Sequence, residues 1–126
     1  MVPVLNLLGT HCAVYGNHDF GKIQHGYVRF SNTASDFGLE TLSDMVGRTE
    51  FPWLMSNVTH NKTGRPLADG AVHHTIEWEG RKIGLIGLVE KEWLDTLATI
   101  NPEEVDYTDY VEAGSMLATE LKKKGE

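Results

Sequence analysis

The sequence lacks the features that mark several large classes of protein. It holds one cysteine, Cys12, so no intrachain disulfide can form and nothing points to an oxidising compartment. No stretch approaches the ~18 consecutive apolar residues of a membrane span. The opening MVPVLNLLG has no basic residue ahead of its apolar ones and reads as no secretory signal, which leaves the cytoplasm as the default compartment. Positive charge is scarce: 11 Lys and Arg stand against 18 Asp and Glu, a formal net charge of −7. A phosphate backbone selects a Lys/Arg-rich face, so neither a nucleic-acid nor a membrane partner is expected. The only basic run, Lys122–Lys124, closes a predicted helix and complements its dipole. The sequons Asn57-Val58-Thr59 and Asn61-Lys62-Thr63, with no leader ahead of them, read as chance matches.

What remains is the make-up of one small globular domain: 126 residues, 40% hydrophobic and 23% charged. Pro3 suits a first helical turn and Gly9 a helix stop, so residues 2–8 read as the tail of a short helix. Residues 10–15, THCAVY, read as a buried strand, with Cys12 a core thiol rather than a nucleophile. Residues 21–35 are rich in Gly, Ser, Asn and Thr and read as loop. From Asp36 to Gly47 the pattern is helical, with Phe37, Leu39, Leu42, Met45 and Val46 on one face. WLMSNV, 53–58, reads as a second buried strand and 59–70 as loop. AVHHTIEW and RKIGLIGLV read as a hairpin turning at Glu79-Gly80, its second strand apolar on both faces. KIGLIGLV is therefore expected to be the most buried strand, flanked by THCAVY and WLMSNV. Asn101-Pro102 opens a turn, and 107–124 reads as an amphipathic helix carrying Tyr110, Val111, Leu117 and Leu121. Helices alternating with apolar strands imply an α/β fold with a mixed sheet. Ligands in such folds bind where loops leave the carboxyl ends of strands.

One loop of that kind carries chemistry. THCAVY runs into Gly16-Asn17-His18-Asp19. Gly16 lets the chain turn close to a ligand. Asn17 offers a neutral oxygen to a hard or borderline cation. His18 can protonate a leaving oxygen or hydrogen-bond a phosphoryl oxygen. Asp19 can orient His18 by accepting from its ring N–H. Alone, such a set is more often turn chemistry than a site.

Context decides. The order GNHDF, helix, FPWLMSNV, then IEWEGRKIGLIGLVE resembles the calcineurin-like metallophosphoesterases, and within them the 5′-nucleotidase branch, whose pattern runs LN.LG.D…GNHEFDFG…L, FP.L.SN, G.KIG.IGL. The resemblance covers nearly all the chain except residues 21–35. It implies an incomplete mixed-sheet layer of a metallophosphoesterase sandwich, with helices packing on the sheet, and residues 1–126 as a partial domain. It implies that Asn17 binds one of two divalent metals (Zn, Mn, Fe or Mg), that His18 contacts phosphate, and that Asp19 fills the acidic position. It implies a phosphomonoester or nucleotide substrate for the complete protein. His11 stands where the family often has Asp.

The family's other ligand blocks, an early Asp-x-His, a Gly-Asp and a later Gly-His-x-His, do not occur here, so the chain reads as a fragment not expected to hold both metals. His73 and His74, adjacent in a strand, point to opposite faces and cannot chelate one ion together. A rebuilt zinc site from His18, His25 and His60 competes with three unrelated imidazoles. A sheet missing its neighbours should expose an edge and self-associate. A non-catalytic α/β binding or regulatory module is the alternative reading.

Residues 21–35 look inserted: deleting them leaves GNHDF-DFGLETL, which matches the family pattern without a gap. Gly21-Lys22 can be encoded GGTAAG and Ser35-Asp36 TCAGAT. Excision between GT and AG then restores one Asp codon in frame, and Gly125-Glu126 can likewise be GGTGAG. Retained intron sequence is one explanation and an evolved loop the other. On the intron reading, the codons at 21–22 and 35–36 carry GT and AG at those points. Nucleotide sequencing that finds them absent would eliminate it.

Overall fold

The structure is a computed structural model and describes residues 2–16, 44–95 and 101–125. The predicted loop 21–35 and the first part of the predicted 36–47 helix lie outside the described residues. The chain begins with α1 (Val2–Leu7), which Gly9 ends in a left-handed conformation (φ 67°). α1 buries no residue completely and is held by a polar clip. The Asn6 carboxamide donates to the Arg48 carbonyl at 3.0 Å and accepts from the Glu50 N–H at 3.1 Å. Residues 44–47 are helical, and Met45 and Val46 pack on the core, as the periodicity predicts.

Two short parallel strands follow, β1 (Ala13–Val14) and β2 (Trp53–Leu54), with Ala13 opposite Trp53 and Val14 opposite Leu54. On its other side β2 meets Ala71, whose N–H donates to the Trp53 carbonyl (2.8 Å) and whose carbonyl accepts from Met55 N–H (2.9 Å). β3 (Val58–His60) pairs antiparallel with β6 (Val105–Tyr107). β4 (His73–Trp78) and β5 (Arg81–Ile86) form the predicted hairpin. Its two turn residues, Glu79 and Gly80, both have positive φ (49° and 74°), the type I′ geometry whose twist matches that of the strands. Helix α2 (Lys91–Asp95) follows, and Asn101 caps a single 3-10 turn at Pro102–Glu104. Last comes α3 (Tyr110–Lys123), where the Asp109 carboxylate accepts from the Val111 and Glu112 N–H groups.

The α/β class holds, with three two-stranded pairs among the described residues, one parallel and two antiparallel. The core is Tyr15, Phe51, Trp53, Met55, Val58, Leu67, Val89 and Leu94. Met55, Val58 and Leu67 are completely shielded (0% exposed), each contributing about 1.5–3 kcal/mol of burial.

Several expectations are corrected. The most buried segment is 53–58, not KIGLIGLV. Arg81, Lys82 and Ile83 are exposed because they sit at the hairpin end beyond the core; only Gly87 and Val89 are buried. KIGLIGLV is not flanked by THCAVY, which pairs with β2. Gly87 explains how the chain reaches the core: a Cβ there would lie 2.6 Å from Leu54 Cβ. Segment 53–58 does not form one strand; it is β2 and then the start of β3, and the predicted loop 59–70 contains the rest of β3 and a 3-10 turn at Leu67–Asp69. β6 and α2 were not foreseen. Cys12 is half-buried rather than a core thiol. On α3 the buried stripe is Ala113, Leu117 and Leu121, while Tyr110 and Val111 face solvent. Ala113 and Gly114 are small enough for close approach, and a Cβ on Gly114 would sit 3.1 Å from Leu88 Cδ1.

One buried amide joins these pieces. Asn57 is 3% exposed. Its Nδ2 donates to the Val89 and Thr108 carbonyls, both at 2.9 Å, and its Oδ1 accepts from Val89 N–H at 3.0 Å. Tyr107 Oη adds a donor to the Val89 carbonyl at 3.3 Å. Burial pushes the Tyr107 hydroxyl above the ordinary tyrosine value, outweighing a hydrogen bond with the Tyr110 backbone that acts the other way, and Asp109 and Glu92 add to the rise. Asn57→Ala removes three side-chain bonds and takes from the Val89 N–H and the Thr108 carbonyl their Asn57 partner, while the Val89 carbonyl keeps Tyr107 Oη; the expected loss is about 3–5 kcal/mol in urea unfolding. A loss below about 1 kcal/mol would show that the clasp contributes little.

Candidate functional site

The parallel pair sets the site's position. β1 and β2 run in the same direction, so their carboxyl ends share one edge. From that edge β1 continues into Tyr15 and Gly16, and β2 into Met55, Ser56 and Asn57. Ser56 sews the edge to the end of the hairpin: its N–H donates to the Gly87 carbonyl (2.7 Å), and its hydroxyl accepts from Gly87 N–H (2.8 Å) and donates to the Val72 carbonyl.

The chain leaves this edge through Tyr15, which is 2% exposed. Its ring lies 5.1 Å from that of Trp53, tilted by 38°. Its hydroxyl donates to the Ala68 carbonyl at 3.0 Å. Ala68 and Asp69 both sit in the left-handed region (φ 55° and 53°) without being glycine, and such backbone persists only where its surroundings enforce it. Gly70 then passes under the ring, where a Cβ would come within 2.8 Å of Met55 Cβ and 3.0 Å of Tyr15 Cε2.

Asn17, His18 and Asp19 lie outside the described residues, as does His25. The described histidines are placed separately. His60 ends β3 and is half-buried; its N–H donates to the Arg65 carbonyl at 2.8 Å. His73 and His74 are neighbours on β4, opposite Ile86 and Leu85, and His73 Nδ1 is buried without a hydrogen-bond partner. His11 lies edge-on to Trp78, 6.2 Å between centroids. Among the described residues no three His, Cys, Asp or Glu side chains converge as a metal site would require. Sequence reasoning passed over Tyr15 and Ala68–Gly70. The available signal was a hydroxylated aromatic immediately ahead of GNHD, directly after the small apolar residues Cys12, Ala13 and Val14.

Comparison with known proteins agrees with this architecture. No family model matches the sequence. A curated 5′-nucleotidase of Vibrio cholerae is 32% identical over 106 residues, which cover 82% of this chain and 18% of that protein. Among solved structures, a protein described as a 5′-nucleotidase from Staphylococcus aureus matches at a TM-score of 0.70 and 19% identity, over 99% of this chain and 21% of its own. The NAD nucleotidase of Haemophilus influenzae matches at 0.68 and 22%, over 99% and 22%. The 5′-nucleotidase precursor of Thermus thermophilus matches at 0.70 and 22%, over 96% and 20%. The chain thus has the fold of the 5′-nucleotidases and is related to them over the region aligned, bearing out the resemblance read from GNHD, FP…SN and KIGLIGL. It spans about a fifth of the length of these relatives. No helix among the described residues is long and apolar enough to cross a membrane.

Proposed function

We propose that this chain is part of a metal-dependent phosphomonoesterase of the 5′-nucleotidase type, to which it contributes the Asn-His block. The observation that carries the reading is the placement of the loop stem: Gly16 leaves the carboxyl edge of a parallel pair, the ligand-binding edge of α/β folds, in a chain with the nucleotidase fold. In this reading Asn17 supplies an amide oxygen to a cation, His18 hydrogen-bonds the phosphoryl group, and Asp19 holds the His18 ring. The substrate is a phosphomonoester, with nucleotides the class suggested by the relatives' names.

The donor set does not fit a complete two-cation centre. One amide oxygen and one neighbouring carboxylate are too few to bridge two ions ~3.5–4 Å apart, and the described residues add no cluster. No catalytic step through a metal is therefore assigned to this chain, and the isolated chain is expected to be inactive. Manganese- or zinc-dependent turnover of p-nitrophenyl phosphate by the chain alone, abolished by His18→Ala, would overturn that expectation. Turnover by a protein carrying the segment within a full domain, unaffected by His18→Ala, would overturn the role given to the loop and favour the binding-module reading.

The proposal extends to self-association. Among the described residues β5 has β4 as its only paired strand, and Ile83 is 40% exposed. Sedimentation velocity should show species that grow with concentration, whereas a sharp monomer at every concentration would contradict it.

A further inference from the structure

We infer that Tyr15 is the positioning residue of the GNHD loop, fixing where and in what direction the chain leaves β1 by tying that point to the left-handed turn at Ala68–Asp69. Its functional consequence rests on the reading of the loop proposed above; its structural basis does not.

The need for such a residue follows from the shortness of β1. Two residues, Ala13 and Val14, pair with β2, and Val14 is 44% exposed. So short a ladder does little to aim the chain that follows it. Tyr15, the next residue, is the first of this segment to be fully enclosed. It is held on three sides: by the Trp53 ring, by the backbone of Gly70, and by the Ala68 carbonyl on its hydroxyl. The turn is shaped to the tyrosine. Two consecutive non-glycine residues in the left-handed region present the Ala68 carbonyl, and the next position is a glycine with no room for a Cβ beside the ring. Leu67, completely buried, anchors the turn from beneath. Aim and distance at the start of the loop are thus set by side-chain contacts reaching 53 positions along the chain. Asn17 and His18 follow Tyr15 by two and three positions, within the range over which a displaced stem is felt by a side chain that must meet a phosphoryl oxygen.

Two substitutions test this. Tyr15→Phe keeps the ring and deletes the hydroxyl. Ala68→Gly keeps the tyrosine and the backbone carbonyl it bonds, and it removes the unfavourable left-handed alanine, so it retains the fold and serves as the control. Amide hydrogen exchange is measured in both variants and in the unmodified chain. In Tyr15→Phe exchange should rise by about tenfold, the equivalent of one hydrogen bond, at residues 13–16 and at 67–70 together; in Ala68→Gly, which keeps that bond, it should not rise at 13–16. Exchange in the β3–β6 pair and thermal stability should change little. No change at 13–16 in Tyr15→Phe, an equal rise there in Ala68→Gly, or a rise spread evenly over the chain overturns the inference.

A kinetic arm reads position rather than stability. In a phosphatase-active protein carrying the segment, Tyr15→Phe should lower kcat by about 10–100-fold with KM nearly constant. An unchanged kcat overturns the positioning role. His18→Ala tests the loop reading separately: activity that survives His18→Ala discredits that reading, while activity lost in His18→Ala but untouched in Tyr15→Phe discredits this one.

Discussion

The Asn57 side chain is the constraint on which the rest of the structure depends. Three stretches distant in sequence meet at it: the link between β2 and β3, the end of the hairpin at Val89, and the junction of β6 with α3 at Thr108. Among the described residues each of the three sheets has two strands, so no continuous ladder joins them. A buried carboxamide, with two donors and an acceptor all used, replaces that ladder. Its burial would be costly if any partner were missing, which makes the arrangement specific as well as stabilising. The Thr108 N–H donating back to the Asn57 carbonyl at 2.9 Å closes the same joint from the main chain.

A second consequence lies at the carboxyl edge of β1 and β2. Because Asn57 and Ser56 lock β2 to Val89 and Gly87, the edge from which Gly16 departs is fixed on one side. On the other side Tyr15 and the Ala68–Gly70 turn fix it again. Asn6 plays a smaller part of the same kind, tying α1 to the segment ahead of β2. The polar residues quoted in the family-like blocks LN.LG and FP.L.SN, Asn6, Ser56 and Asn57, are here structural clips. The first sequon is explained as well: Asn57 has both Nδ2 protons committed within the core.

Local chemistry was legible wherever one or two residues dictate geometry. Gly9 ending α1, Glu79-Gly80 turning the hairpin, and Lys122–Lys124 near the end of α3 could all be read directly. Tertiary placement was harder. RKIGLIGLV is apolar enough for a central strand, yet nothing in its pattern says that its first half projects beyond the core. Leu117 and Leu121 were read correctly, but the start of the stripe on α3 was misplaced because Tyr110 and Val111 are large and apolar, whereas the buried position is the small Ala113. β3 was missed because Thr59 and His60 are polar and its partner β6 lies more than forty residues away. The candidate loop was legible as chemistry, Asn-His-Asp after a strand, but its anchorage was not. That anchorage depends on left-handed alanine and aspartate residues, which sequence preference argues against.

The claim that a single buried amide holds the nucleotidase-like fold together is tested most directly by hydrogen exchange at the Asn57 carboxamide, followed by nitrogen-edited NMR. The two Nδ2 protons should give separate resonances that exchange with water as slowly as the protected backbone amides of β3 and β6. A carboxamide that exchanges as fast as a solvent-exposed asparagine would contradict the clasp, and with it the shared placement of the hairpin end, α3 and the carboxyl edge of β2.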